Sequence, residues 1–204
     1  MKFDSHIHTS RYSPDSVIDP FDLVRRARAV GLDGIVITEH DRLWPEDELD
    51  ELRRAAPGLV VLGGVEVSGK GGDVLCYGVT DLTNLRRGTP WRELTREVRR
   101  QGGVAVAAHP YRWGQEFDEL LAEQEPDLGG LEMMSNNMTP DLRAQAAAFL
   151  ARRQGFATLG NSDAHELHVV GCCYTRFDAN IRGMADFVAA VLARKGTATV
   201  NPDW

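Results

Sequence analysis

Residues 2–16 read KFDSHIHTSRYSPDS. A short apolar run, 3–7, delivers two histidines, His6 and His8, with Asp4 before them and Asp15 after. On a strand, residues i and i+2 point to the same side. The two imidazoles can therefore grip one cation together. Alone, an HxH pair is a weak signal; its weight depends on whether other strands end the same way.

Further short runs rich in β-branched residues lie at 34–38, 59–65, 74–79, 104–108, 130–133 and 157–159, alternating with helical patterns at 20–31, 46–56, 91–102, 118–125, 140–154 and 183–195. This alternation predicts a parallel α/β sheet or barrel. Asp19-Pro20, Thr89-Pro90 and Thr139-Pro140 each put a capping residue before a proline at the first helical position. Gly31, Gly102, Gly155 and Gly196 are expected helix stops. The piece 59–79 differs, because two strands flank EVSGKGGD (66–73), which reads as a hairpin with a glycine-rich turn. The tail GTATVNPDW, 196–204, is either a terminal strand or a loosely held end. No repeat or linker interrupts the chain, so one domain over 1–204 is expected.

Composition limits the function classes. The chain has 204 residues, 43% hydrophobic and 26% charged, as in ordinary soluble proteins. No apolar run approaches the ~20 residues that span a bilayer, and the start carries no leader pattern, so a cytoplasmic protein without a membrane partner is expected. Cys76, Cys172 and Cys173 lack metal or disulfide spacing and are expected reduced and buried. A net charge of −7 argues against long nucleic acid as a partner.

The strand ends share a chemistry. After His6 and His8 come Glu39, His40 and Asp41, then Glu66, then Asp73 at the end of the hairpin turn. VAVAAHP ends at His109, GLEMMSNN carries Glu132, and TLGNSDAH carries Asp163 and His165. Five of the six histidines fall at such ends, each near carboxylates. Active sites of α/β sheets and barrels form at that edge. Neutral imidazole and carboxylate are the usual ligands of Zn, Mn and Fe. A carboxylate can bridge two ions, so this many candidates suggests more than one metal. Glu132 is given no role, and His168 reads as a loop or rim histidine.

In order along the chain, DSHIHTSRYSPDS, GIVITEHD, GVEVS with AHPYR, and GNSDAH resemble the four motifs of the polymerase and histidinol phosphatase (PHP) family of metal-dependent phosphoesterases. The resemblance spans almost the whole chain. It implies an α/β fold, a distorted (β/α)7 barrel, with two to three divalent ions (Zn, Mn or Fe) at the C-terminal edge of its strands. Carried over by position, His6, His8, Glu66 and Asp163 would hold one ion. Glu66 would bridge to a second, which also takes His109, and His40 and His165 would hold the remaining one with Asp15. Two positions depart from the family pattern. Asp73 follows Gly72 where short relatives tend to carry histidine, and Glu39 stands where aspartate is frequent. Asp4 and Asp41 either orient imidazoles through the far ring nitrogen or cap loops.

The resemblance implies hydrolysis of a small phosphate monoester or a short nucleotide-like phosphodiester by a metal-activated hydroxide. Asp163 and Arg112 are the expected catalytic residues, Arg112 by clamping a phosphate bidentately. Arg11, Lys70 and Arg42 lie on loops at the same edge, and each also reads as a solvated cation. Trp44, Tyr111 and Trp113 are candidates for stacking on a substrate ring or for packing their loops. Two other functions compete: an amidohydrolase-like C–N hydrolase, and a non-catalytic metal-binding regulatory module.

Overall fold

The computed structural model describes residues 1–112, 117–124 and 126–203. Its strands are β1 (Lys2–Ile7), β2 (Gly34–His40), β3 (Val60–Gly69), β4 (Gly72–Tyr77), β5 (Val104–Ala107), β6 (Gly130–Met134), β7 (Ala157–Gly160), β8 (Cys173–Phe177) and β9 (Gly196–Val200). The helices are α1 (Pro20–Ala29), α2 (Glu46–Ala55), α3 (Trp91–Arg100), α4 (Phe117–Gln124), α5 (Pro140–Arg152) and α6 (Met184–Leu192). One sheet runs β7-β6-β5-β4-β3-β2-β1-β8-β9. It curls until β7 meets the far hairpin: Gly160 N donates to Thr175 Oγ1 of β8 at 3.0 Å. A Cβ at Gly160 would sit 2.7 Å from the carbonyl oxygen of Tyr174 and 3.0 Å from Thr199 N, so only glycine permits this approach. The result is a distorted, nearly closed α/β barrel.

β1–β2, β2–β3, β5–β6 and β6–β7 pair in parallel. β3 and β4 form the expected hairpin, with Gly71 at φ 112° in its turn. β4 thus runs backwards and delivers its first residues, not its last, to the edge where β3 ends.

Two expectations need correction, and one strand is new. Thr89 does not cap α3, because Pro90 is its N-cap and not its first residue; the Thr89 hydroxyl accepts instead from Arg86 N. Gly196 does not end α6 but opens β9, and the chain turns through Arg194 at φ 55°. β8 was not foreseen, because Cys173 and Arg176 leave Thr175 as its one β-branched residue. β7 ends at Gly160, one residue past the expected run, and Asp163 and His165 lie on the loop that follows it. Of the tail's two readings, the strand is the one adopted: β9 pairs antiparallel with β8 from Gly196↔Phe177 to Val200↔Cys173. The Asp19 and Thr139 caps form as expected, and Gly31, Gly102 and Gly155 adopt positive φ. The cysteines are free and buried. No described helix is long and apolar enough to cross a membrane.

The barrel interior is layered. At the end away from the strand tips, Phe187 of α6 packs on Phe3, Tyr77 and Phe177, with ring centroids 5.0–5.7 Å apart. Above this plug Tyr77 donates its hydroxyl to the Ser5 carbonyl at 2.9 Å, and Ser5 Oγ meets Asn161 Oδ1 at 2.6 Å. The histidines lie in the next layer. Phe187→Ala is expected to cost about 3–5 kcal/mol, the usual range for a buried aromatic. Urea unfolding measures this, and a loss under 1 kcal/mol would mean that α6 does not plug the barrel.

Candidate metal centre

Register and strand direction bring the strand-end residues together. The β2–β3 register sets His40 beside Glu66. The β1 tip carries His6 and His8, and His8 N donates to the Ala164 carbonyl at 3.0 Å, tying the Asp163 loop to β1. His6, His8, Glu66, His109 and Asp163 are all at most 3% exposed.

The tightest group comprises His6 Nε2, His8 Nε2, Glu66 Oε2 and Asp163 Oδ1. The two imidazole nitrogens are 3.0 Å apart. Glu66 Oε2 lies 3.3 Å from His6 Nε2 and 3.2 Å from His8 Nε2, and Asp163 Oδ1 lies 3.2 and 3.5 Å from the same nitrogens. Glu66 Oε2 is buried yet has no hydrogen-bond partner. A tetrahedral site with bonds of ~2.0–2.1 Å has donor–donor edges of roughly 3.3 Å. The imidazole nitrogens match such edges to each other and to both carboxylates, and His6 and His8 with Glu66, and His6 and His109 with Asp163, form two groups that could each hold a cation.

Two looser groups flank the first. Glu66 Oε1 is 3.2 Å from His109 Nε2, while Asp73 Oδ2 is 4.0 Å from that nitrogen. On the outer side Asp15 Oδ2 is 3.2 Å from His40 Nε2 and 3.4 Å from His165 Nε2, with Asp15 55% exposed. The structure thus brings together all nine residues singled out as ligand candidates.

Glu132 is the residue that sequence reasoning passed over. Fully buried in the middle of β6, it accepts from His6 Nδ1 (3.1 Å), His109 N (2.8 Å) and Asn161 Nδ2 (2.9 Å). A proton on His6 Nδ1 leaves Nε2 bare for a cation. The signal was a lone carboxylate inside an apolar strand run, which burial obliges to have partners. Asn137 was also missed; its Nδ2 lies 2.5 Å from Asp163 Oδ2.

Asp4 and Asp41 do not touch an imidazole. Asp4 accepts from Ser162 N (2.9 Å) and Gly171 N (3.0 Å), so it ties two loops to β1. Burial pushes its pKa up to about 6, although hydrogen bonds from Ser162 and Gly171 oppose this. Asp41 accepts from Ser68 N and pairs with Arg87. Arg11 is also drawn away from the cluster, its Nε donating to Glu48 of α2 at 3.0 Å. Arg112 does reach it, with Nη1 3.3 Å from Asp163 Oδ2. Trp44 serves packing, since its indole N–H donates to buried Glu39 at 2.8 Å. Tyr111 packs on Phe117, and Trp113 lies outside the described residues.

Backbone strain concentrates here. Asp41, His109, Tyr111 and Asp163 have φ of 53°, 25°, 71° and 51°, a region that costs non-glycine residues of order 1–3 kcal/mol each. His109 is held there by its N–H bond to Glu132.

Ionisation follows the crowding. Burial alone would lower the pKa of His6, but Asp163, Glu66 and Glu132 raise it well above the ordinary value. Burial likewise opposes charge on His40, and Glu66 and Asp15 still lift it to about 8. Glu66 is the mirror case: burial would raise it, and His6, His109 and His40 hold it well below the usual carboxylate range. Depressed carboxylates stabilise the fold above their ordinary pKa, 4.5 for Glu66, and raised histidines do so below theirs, 6.5 for His40. Chelator-stripped protein should therefore melt highest at about pH 4.5–6.5 and lose stability as pH rises through 8. Divalent metal needs neutral imidazoles, so its stabilisation should grow over that same rise. Melting curves of stripped and loaded protein between pH 5 and 9 test this; a stripped protein whose Tm climbs steadily above pH 6.5 would contradict it.

The comparisons with known proteins agree with this architecture. A family profile described as PHP-associated matches residues 143–195. The uncharacterized protein MJ1587 of Methanocaldococcus jannaschii is 31% identical over 121 residues, covering 54% of this chain and 68% of that one. A Bacteroides vulgatus two-domain protein, described as containing a predicted PHP-like metal-dependent phosphoesterase, superposes with a TM-score of 0.76 at 21% identity. That match covers 98% of this chain and 65% of the two-domain protein, so this chain spans just under two thirds of its length. The lesion-specific endonuclease PfuEndoQ of Pyrococcus furiosus superposes with a TM-score of 0.67 at 16% identity, over 98% of this chain and 57% of the endonuclease. The chain belongs to the polymerase and histidinol phosphatase (PHP) family.

Proposed function

We propose that this chain is a metal-dependent phosphoesterase that hydrolyses a small phosphate monoester or a short nucleotide-like phosphodiester. The observation that carries this reading is the set of donor atoms on His6, His8, Glu66 and Asp163, the two imidazole nitrogens lying 3.0–3.5 Å from each other and from both carboxylate oxygens in a buried layer at the strand tips. Those residues would hold one divalent ion, and Glu66 would share it with a second at His109 and Asp73. A third ion would be held by His40, His165 and Asp15, so that two to three ions of Zn, Mn or Fe are expected. The looser Asp73 spacing and the exposure of Asp15 support unequal affinities.

Ions so held supply Lewis acidity and a water of lowered pKa. The chain's own residues do the remaining work. Asp15, Arg112, Asn136, Asn137, Asp163 and His165 line a pocket of about 330 Å³ beside the cluster. Arg112, 27% exposed, offers the planar donors that match two phosphoryl oxygens. Burial would favour a neutral Asp163, but His6 and His8 keep it well below the ordinary carboxylate range, so it remains an acceptor. The pocket volume and the net charge of −7 favour a small substrate over a long polyanion. PfuEndoQ acts on lesions as a much longer chain, so nucleic acid binding there does not by itself carry over.

The test is hydrolysis of p-nitrophenyl phosphate, bis-p-nitrophenyl phosphate and a cyclic imide, each with and without chelator. Phosphoester cleavage that chelator abolishes is the expected result. Imide cleavage without phosphoester cleavage would favour the C–N hydrolase, and no turnover by metal-loaded protein would favour the regulatory module. Arg112→Ala should lower kcat/KM for the phosphoester by roughly 10–100-fold, the loss of a charged hydrogen bond. Unchanged kinetics would remove Arg112 from the mechanism.

A further inference from the structure

His8 is held in place by a chain of buried side chains that leads away from the cluster. Its Nδ1 lies 3.3 Å from Ser13 Oγ, and Ser13 Oγ lies 2.5 Å from Glu39 Oε2. The backbone N–H of His40 also points at Ser13 Oγ, at 3.3 Å. Glu39 Oε2 accepts from Thr9 N at 3.1 Å, and Oε1 accepts from Trp44 Nε1 at 2.8 Å and Thr9 Oγ1 at 2.5 Å. His8, Ser13 and Glu39 are all fully buried.

The donor inventory fixes where the protons lie. Each Glu39 oxygen faces an N–H that can only donate, so both oxygens are acceptors. The single hydroxyl hydrogen of Ser13 therefore goes to Glu39. Ser13 has only lone pairs left for its other neighbours. The His40 N–H fills one, and His8 must donate from Nδ1 into the other. That tautomer leaves His8 Nε2 without a proton, and Nε2 is the atom that faces Glu66 Oε2 at 3.2 Å and His6 Nε2 at 3.0 Å.

We propose that Glu39 is a positioning residue that acts through Ser13 to lock His8 in its Nδ1–H tautomer and so presents a bare Nε2 to a divalent cation. The purpose of the lock rests on the metal-centre reading above; the lock itself does not. The extra methylene of glutamate over aspartate gives the β2 carboxylate the reach to take hydrogen bonds from both Thr9 and Ser13 of the β1 loop. Glutamine cannot replace it. Either orientation of a glutamine amide would set an NH2 group against the Trp44 Nε1–H or the Thr9 N–H.

The test uses chelator-stripped, full-length protein with ¹⁵N-labelled histidine. Long-range ¹H–¹⁵N correlation reads each imidazole's tautomer, and competition against a zinc chelator reads affinity. In its neutral form wild-type His8 should carry its proton on Nδ1. Ser13→Ala and Glu39→Gln should shift His8 toward the Nε2–H form and weaken zinc binding by roughly 10–100-fold, the usual cost of losing such a partner. Trp44→Phe deletes a donor to the other oxygen of the same carboxylate and should leave tautomer and affinity close to wild type. A purely structural role would instead make affinity follow stability across all three variants. A neutral wild-type His8 protonated on Nε2 overturns the proposal without any variant. So does a Ser13→Ala protein whose tautomer and zinc affinity match wild type. If wild-type protein binds no zinc, the metal-centre reading fails, and the tautomer spectra still decide the lock.

Discussion

Glu66→Ala is expected to empty the metal centre. Glu66 is shared by the first two proposed sites and touches a histidine of the third: Oε2 lies within 3.3 Å of His6 Nε2, His8 Nε2 and His40 Nδ1, and Oε1 lies 3.2 Å from His109 Nε2. Its removal deletes a bridging anion from among four imidazoles and leaves Asp163, Glu132, Asp15 and the looser Asp73 at the edges of the group. Like-charge crowding would then depress their pKa values, and divalent affinity would fall for want of an anionic ligand. Metal content should drop to at most one equivalent. Phosphoester turnover should fall by more than the roughly 10–100-fold that loss of an outer hydrogen-bond partner costs. Plasma emission analysis and a chromogenic phosphoester assay on the same preparation check both. Full metal content in Glu66→Ala would show that the cluster does not converge on this residue.

Glu132→Ala is expected to be the most destabilising single change near the site. Its two oxygens serve three buried donors, on His6, the strained His109 backbone and Asn161. Truncation strands those donors in a region with no exposed neighbour to relax into. Breaking a buried charged network of this kind costs about 3–5 kcal/mol. His6 also loses the partner that fixes its Nδ1 proton, so metal affinity should fall together with stability. Denaturant unfolding of metal-free protein isolates the stability part; a loss under 1 kcal/mol would mean that the carboxylate is not holding the His109 turn.

The sequence made the strand-end chemistry legible because its residue types are rare and their positions are set by short strands. His6, His8, His40 and Glu66 stand out on that ground, and the β3–β4 hairpin followed from its glycines. Glu132, Ser13 and Asn137 were not legible. Each works through partners more than twenty residues distant or through a common residue type, and only the folded barrel brings those partners near. Asp4 was half legible: its burial was foreseeable beside His6, but its partners, Ser162 and Gly171, lie across the barrel. Arg11 illustrates the reverse error. A cation near the motif was read toward the site, whereas Glu48 of α2 is closer and takes it. β8 shows that pairing with neighbours can make a strand where local propensity is weak.

The most direct test of the account is the metal content of tag-free protein purified without chelator and then incubated with Mn²⁺, Zn²⁺ or Fe²⁺. Two to three equivalents per chain, with His8→Ala losing most of them, is the predicted result. Less than one equivalent under every condition would contradict the metal centre and, with it, the proposed phosphoesterase.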